Sequence, residues 1–230
     1  MTLSSETLPS PSPDRFAARL RGFGPIGVTA MIVITLLGPV FEPVGGLLVL
    51  LWAYRSHTPW PELGFKRPKS WVLTILLGLL LGFGLKLLMK SLVLPLFRAP
   101  VINPVYHYLA GNTAALPSMT LDIIVGAGFA EETVYRGFLF ERLGKLLGTG
   151  RWAKLVILLS TSLLFGSVHY PGQGIYGALQ AFFTGLCLGV MYLITKRLWL
   201  SMVAHVAFDI TAMLIIYKNF EPRVAHLIFK

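Results

Sequence analysis

Cysteine is almost missing from this chain: Cys187 is the only one in 230 residues. A disulfide framework is therefore excluded, and the redox compartment cannot be read from sulfur. Cys187 lies in an apolar run, where it is expected to act as a small packing residue. Charge is scarce as well. Asp, Glu, Lys and Arg make up 13% of the residues, against roughly 25% in a soluble domain, which excludes an ordinary water-soluble fold. Acidic residues are the scarcest, 10 against 20 Lys and Arg, for a net charge of +10. Such an excess on one soluble face would suggest nucleic acid. Here the Lys and Arg sit in short segments between long apolar runs, as the positive-inside rule describes, so no nucleic-acid partner is expected. A secretory signal peptide is also missing, because the first apolar stretch is too long for one and no clean cleavage site follows it. The first span is expected to stay in the mature protein.

What remains is 55% apolar with a mean hydropathy of +0.70, the composition of an all-α, multi-pass transmembrane helical bundle. Met1 to Gly24 is polar and contains LPSPSPD, so it reads as a disordered, cytoplasmic-type tail, with 25–230 as the membrane-embedded domain. A span needs about 20 apolar residues. Segments that qualify are Pro25 to Tyr54, Trp71 to Phe97, Leu121 to Phe140, Trp152 to His169, Ile175 to Thr195 and Trp199 to Tyr217. Pro39, Glu42 and Pro43 interrupt the first, which is either one kinked helix or a short re-entrant hairpin. Six to seven membrane segments are expected.

Basic residues orient the spans. Arg55, Lys66, Arg67 and Lys69 mark one cytoplasmic segment, Arg142, Lys145, Arg151 and Lys154 a second, and Lys196 with Arg197 a third. Arg98 to Thr120 holds one Arg and reads as external. Arg15, Arg19 and Arg21 make the tail basic too, which asks the first stretch to cross an even number of times, although thirty residues are short for two full spans. Two lysines, Lys86 and Lys90, fall inside a span one turn apart. They either snorkel to an interface, form the amphipathic end of a shorter span, or serve as charge partners for the acidic cluster.

Against this apolar background, three segments carry ionisable residues at helical spacing: EETVYR with Glu131, Glu132 and Arg136, FGSVH with Phe165 and His169, and HVAFD with His205 and Asp209. Ionisable groups in a bilayer are expensive and mark function by default. Glu132 and Arg136 are four apart and can pair within a helix, leaving Glu131 on another face. A glutamate in a partly dry pocket can take a proton from water and return it to a leaving amine. His169 could share that water or ligate a metal, and Phe165 is expected to pack. Asp209 one turn from His205 could fix its tautomer and orientation. His57, His107 and His226 lie in polar segments and read as surface residues. Asp122 reads as a structural residue at a helix N-terminal end. Gly126, Gly128, Gly185 and Gly189 permit close helix packing.

In order and setting these motifs resemble the CPBP family of intramembrane proteases, which includes CAAX prenyl protease 2 and the lysostaphin-resistance-protein-A-like proteins. The family pattern EExxxR, FxxxH, HxxxN or HxxxD corresponds to EETVYR, FGSVH and HVAFD, so 121–217 would be the protease-like core. WPELGF is similar to the family's interhelical linker. The resemblance implies that Glu131 is the general base, that Glu132 with Arg136 stabilises the site, that His169 assists the water or binds zinc, and that His205 with Asp209 stabilises the oxyanion. Zinc, where used, would be held by Glu131, His169 and His205. The chain departs from much of the family at Asp209, where an ionised carboxylate is acceptor-only and an Asn would donate.

The resulting expectation is an endopeptidase in the cell membrane, the inner membrane if bacterial, acting on membrane-associated peptides of CAAX type or otherwise. The competing expectations are a non-proteolytic protein of the same fold in bacteriocin self-immunity, and a transporter using the same residues as a proton relay. One tension is visible beforehand: by the charge pattern His169 lies near one end of its span and His205 near the opposite end of its own.

Overall fold

The computed structural model describes residues 14–38 and 42–229. Among them regular structure is helical throughout. Besides two short 3-10 helices, Trp60–Leu63 and His107–Leu109, eight helical elements follow in order among the described residues: α1 Arg15–Arg21, α2 Pro25–Leu37, α3 Glu42–Arg55, α4 Trp71–Leu96, α5 Thr113–Leu147, α6 Arg151–Thr195, α7 Leu198–Tyr217 and α8 Glu221–Ala225. Four of these, α4 to α7, are long and apolar enough to cross a membrane, and α1 with α2 would make a fifth as a pair bent by 55°. At Gly174 (φ 66°) α6 is broken, which divides it into arms 151–173 and 175–195, each of spanning length. With that break counted, the protein is a multi-pass membrane bundle with room for the six spans read from sequence.

The tail is more ordered than its composition suggests. Residues 1–13 lie outside the described residues, but Arg15–Arg21 is a helix whose N-terminus is capped by Asp14, the carboxylate accepting from the Phe16 and Ala17 N–H groups at 3.0 Å. Its far end docks on α3, where Trp52 donates to the Leu20 carbonyl at 3.2 Å. The start and the end of the stretch 15–55 therefore lie together. With α2 of 13 residues and α3 of 14, each about 20 Å long at 1.5 Å per residue, this stretch goes in and returns as a short hairpin. Pro39 lies outside the described residues, as does the side chain of Glu42.

Charges gather at one end. Glu62 pairs with Arg21 at 2.7 Å and with Lys145 at 2.6 Å, and Glu141 pairs with Arg142 at 2.6 Å. Lys145, together with Arg21, holds the Glu62 carboxyl below the ordinary range. Arg197 donates to the Arg67 carbonyl at 3.2 Å, joining the third basic segment to the first. Trp71 and Trp199 pack edge to face at 5.2 Å beside Phe65, an aromatic belt of the interfacial kind. The weakly charged segment before α5 is at the other end, where Gly111 N–H donates to the Tyr217 carbonyl.

Lipid exposure explains the outer face of α4, where Val72, Leu76 and Leu80 are 69%, 59% and 65% exposed. Its inner face packs along α7 because small residues let the backbones meet: a Cβ on Gly82 would lie 2.1 Å from the Ala204 carbonyl oxygen. Gly128 plays the same part between α5 and α7, against Val206.

The depth of α7 removes the tension in the sequence. Leu198 N–H donates to the Gly64 carbonyl at 3.0 Å, and the Leu198 side chain reaches Gly137 of α5. The start of α7 is thus level with Gly137, about 15 Å inward from Leu147 at helical rise. From that level Glu131 is about 9 Å further along α5 and His205 about 10 Å further along α7. The α5–α6 hairpin projects past the turn that opens α7, so its site residues and those of α7 meet at one depth.

Candidate functional site

Three helices deliver the three motifs. EETVYR lies in the wide-turned middle of α5, residues 122–139, FGSVH in the first arm of α6, and HVAFD in α7. Wide helical turns are rare and recur at functional sites. Asp122 is inside α5, not at its N-terminus, and faces the same cavity as the motif residues. The expected helix start at Leu121 is too late, because Thr113 to Thr120, though less apolar, continues the same helix.

Glu132 and Arg136 are fully buried and paired, with Arg136 Nη1 2.6 Å from Glu132 Oε1. Arg136 also donates to the Gly185 carbonyl at 3.3 Å and lies 4.6 Å from the Phe165 ring centre, a cation–π contact in a dry setting. The same Glu132 oxygen accepts from His205 Nδ1 at 2.9 Å. Glu132 Oε2 has no hydrogen-bond partner among the described residues. The ring orientation of His205 is thus set by Glu132 across helices, not by Asp209 within its own helix. Sequence spacing favoured Asp209 because it shows i,i+4 neighbours and is blind to contacts between helices.

With Nδ1 held, His205 turns Nε2 toward Glu131 Oε2 at 3.7 Å and Asp209 Oδ2 at 3.5 Å. His169 is held in a parallel way: its Nδ1–H donates to the Phe165 carbonyl at 2.6 Å, and its Nε2 is 4.0 Å from Glu131 Oε1. Phe165 is 1% exposed and packs edge to face with His169, His205 and Tyr135 at 4.6, 5.9 and 4.9 Å. Its ring packs, and its carbonyl also orients a histidine. All six candidate residues therefore meet at one place: Glu131, His169, His205 and Asp209 line a cavity of about 360 Å³, while Glu132 and Arg136 lie behind that wall.

Sequence reasoning missed part of the wall. Lys86 lines this cavity at 7% exposure and donates to Gln180 Oε1 at 3.0 Å. Lys90, one turn on, is 6% exposed and pairs with Glu221 at 2.9 Å. Neither lysine snorkels, because each finds a polar partner inside the protein. Lys90 does become a charge partner, but of Glu221 rather than the EETVYR carboxylates. Gln180 and Thr184 also line the cavity, and polar side chains one turn apart in an apolar span were the available signal. His57, His107 and His226 are exposed as expected.

Zinc does not fit this arrangement. Among the described residues no three His, Cys, Asp or Glu side chains are placed to hold a metal ion. The separations of 3.7 and 4.0 Å between the histidine nitrogens and separate Glu131 oxygens exceed the roughly 3.4 Å edge of a tetrahedron with ligands at about 2.0–2.1 Å.

Compared with known proteins, residues 113–211 match the model of the family described as type II CAAX prenyl endopeptidase Rce1-like. The match covers a little under half of the chain and contains every candidate site residue. No curated protein and no solved structure matches the chain. The matched segment, from α5 into α7, is similar to that family and is the one that carries the three motifs.

Proposed function

We propose that the protein is an intramembrane endopeptidase in which Glu131 is the general base. The observation that carries this reading is Glu131 in the cavity wall with the Nε2 atoms of His169 and His205 at 4.0 and 3.7 Å from its two oxygens. Those gaps are too long for direct hydrogen bonds and suit one water held by the carboxylate and the imidazoles. That water gives one hydrogen bond to Glu131 and one to the Nε2 lone pair of His169, which points its oxygen at a scissile carbonyl carbon. As the C–O bond forms, the water proton passes to Glu131 and the carbonyl electron pair moves to oxygen. His205, protonated on both ring nitrogens, donates from Nε2 to that oxyanion while Glu132 holds Nδ1. The intermediate collapses, the C–N bond breaks, and Glu131 returns its proton to the leaving amine.

Arg136 stabilises Glu132, and through it the position of His205. Asp209 stands on the Nε2 side of His205, where it orients the donor proton. The substrate is a membrane-associated peptide, and a prenylated CAAX tail is the member of that class that the family description supports. By the positive-inside rule the end holding Arg21, Arg67, Lys145 and Arg197 faces the cytoplasm.

The test uses the full chain in lipid nanodiscs and a lipidated, internally quenched peptide. Wild type releases fluorescence and Glu131→Gln does not. Cleavage by Glu131→Gln at the wild-type rate would overturn the assignment. Loss of a proton-coupled flux in sealed vesicles without any peptide cleavage by wild type would favour a relay instead.

A further inference from the structure

The cavity holds a cation for which the proposed hydrolysis has no use. Lys86 enters from α4, more than nine-tenths buried, with its ammonium 4.8 Å from the Phe208 ring centre. Among the described residues no carboxylate lies within 4.0 Å of it, the Asp209 carboxylate in the same cavity wall acting on it from beyond that distance, whereas Lys90 one turn away is paired directly with Glu221. The one hydrogen bond that its three donors make among the described residues goes to the neutral amide oxygen of Gln180 at 3.0 Å. An ammonium that lines a polar cavity without a directly bonded carboxylate is costly unless something anionic shares it.

We infer that Lys86 binds the free C-terminal carboxylate of the substrate, an assignment that rests on the peptidase reading for the identity of the ligand. A cavity of about 360 Å³ is at the small end of ligand pockets, so it takes a short peptide tail and not a folded domain. With the carboxylate anchored at Lys86 and the water at Glu131, the enzyme measures its cut from the chain end. It releases a short C-terminal peptide and rejects internal loops. An anionic lipid headgroup offers similar chemistry but has no terminus to measure from, and the experiment separates the two.

The experiment measures binding, so it does not depend on turnover. Full-chain Glu131→Gln protein in nanodiscs is titrated with a lipidated peptide ending in a free carboxylate and with the same peptide as its C-terminal amide. The acid binds about 10- to 100-fold more tightly than the amide, the range of a charged hydrogen bond. That ratio falls toward one in Lys86→Met and survives in Lys86→Arg, which keeps the charge and guards against a folding artefact. Equal affinity for acid and amide overturns the subsite, as does a ratio that persists in Lys86→Met. A gain in anionic lipid retained by the protein with no acid preference also overturns it, in favour of a headgroup site. Cleavage by wild type is read separately: cutting both peptides equally sinks the subsite and leaves the peptidase, while selective acid binding without cleavage sinks the peptidase and leaves the subsite.

Discussion

Glu131 and Glu132 are adjacent in the chain and live in different surroundings. Glu132 is fully buried behind the cavity wall, with Arg136 at 2.6 Å and His205 at 2.9 Å on one oxygen. Glu131 faces the cavity, and the histidine nitrogens stand back from it at 3.7 and 4.0 Å. The difference lies in how each meets the histidines: Glu132 bonds His205 directly, while Glu131 stands off both imidazoles at the wall of an open cavity. The first arrangement positions its neighbour, and the second lets a carboxylate exchange a proton with a molecule that enters the cavity.

That contrast breaks most visibly under paired substitution. Glu131→Gln is expected to lower peptide cleavage by about 10²- to 10⁴-fold, the range for a general base, while unfolding in detergent shifts by only a few degrees. Glu132→Ala leaves Arg136 buried without its carboxylate and should cost about 3–5 kcal/mol of stability, with activity lost because the fold and His205 are lost together. Thermal unfolding of both variants beside their cleavage rates decides it. Equal destabilisation would remove the distinction between the two glutamates.

Lys86 and Lys90 repeat the contrast on α4. Lys90 is enclosed by Glu221 at 2.9 Å and the Val101 carbonyl at 2.6 Å, and the carboxylate also accepts from Asn103 N–H. Lys90→Met therefore strands a buried Glu221 and should destabilise by about 3 kcal/mol or more. Lys86→Met removes an ammonium that an amide and a ring touch and that no carboxylate within 4.0 Å pairs among the described residues, Asp209 acting on it from further off. Its stability cost should stay below about 1 kcal/mol, since the desolvation relieved offsets the lost hydrogen bond. Matching losses in the two variants would show that the lysines are equivalent structural parts.

The sequence made the membrane class, the helix positions and the i,i+4 pair Glu132–Arg136 legible, because apolar length and helical spacing are local properties. It also singled out Glu131, His169, His205 and Asp209, since a charge inside an apolar run has no bland local cause. What it could not carry was contact between helices. The Glu132–His205 bond, the level at which α7 begins beside Gly137, and the burial of Lys86 against Gln180 all depend on how separate helices stack. The helix Arg15–Arg21 was missed for another reason: its stability comes from the Asp14 cap and from docking on Trp52, neither of which shows as hydrophobic periodicity.

Asp209 stands between the two classes of carboxylate, 3.5 Å from His205 Nε2 and 28% exposed on its side chain. Asp209→Asn keeps the shape and supplies an N–H donor toward the oxyanion, so cleavage should change by no more than about tenfold, a little over 1 kcal/mol of barrier. A loss as deep as that of Glu131→Gln, measured as kcat/KM on the same peptide, would place Asp209 in the proton transfer itself.

The smallest effect belongs to a paired carboxylate that water reaches. Glu62 is bonded to Lys145 and Arg21, but its side chain is 35% exposed, so screening limits the pairs to about 0–1 kcal/mol. Glu62→Gln should lower stability by that much and leave cleavage at the wild-type rate. The pH dependence has a definite sign. Because Lys145 and Arg21 hold the folded-state pKa below the ordinary glutamate value, the contribution is present above the unfolded-state value and fades as pH falls through the lowered one. The wild-type advantage over Glu62→Gln should therefore be constant near neutrality and shrink in acid. An advantage that instead grew with acidity, in unfolding curves of the two proteins, would mean that Glu62 is held by something other than its cations.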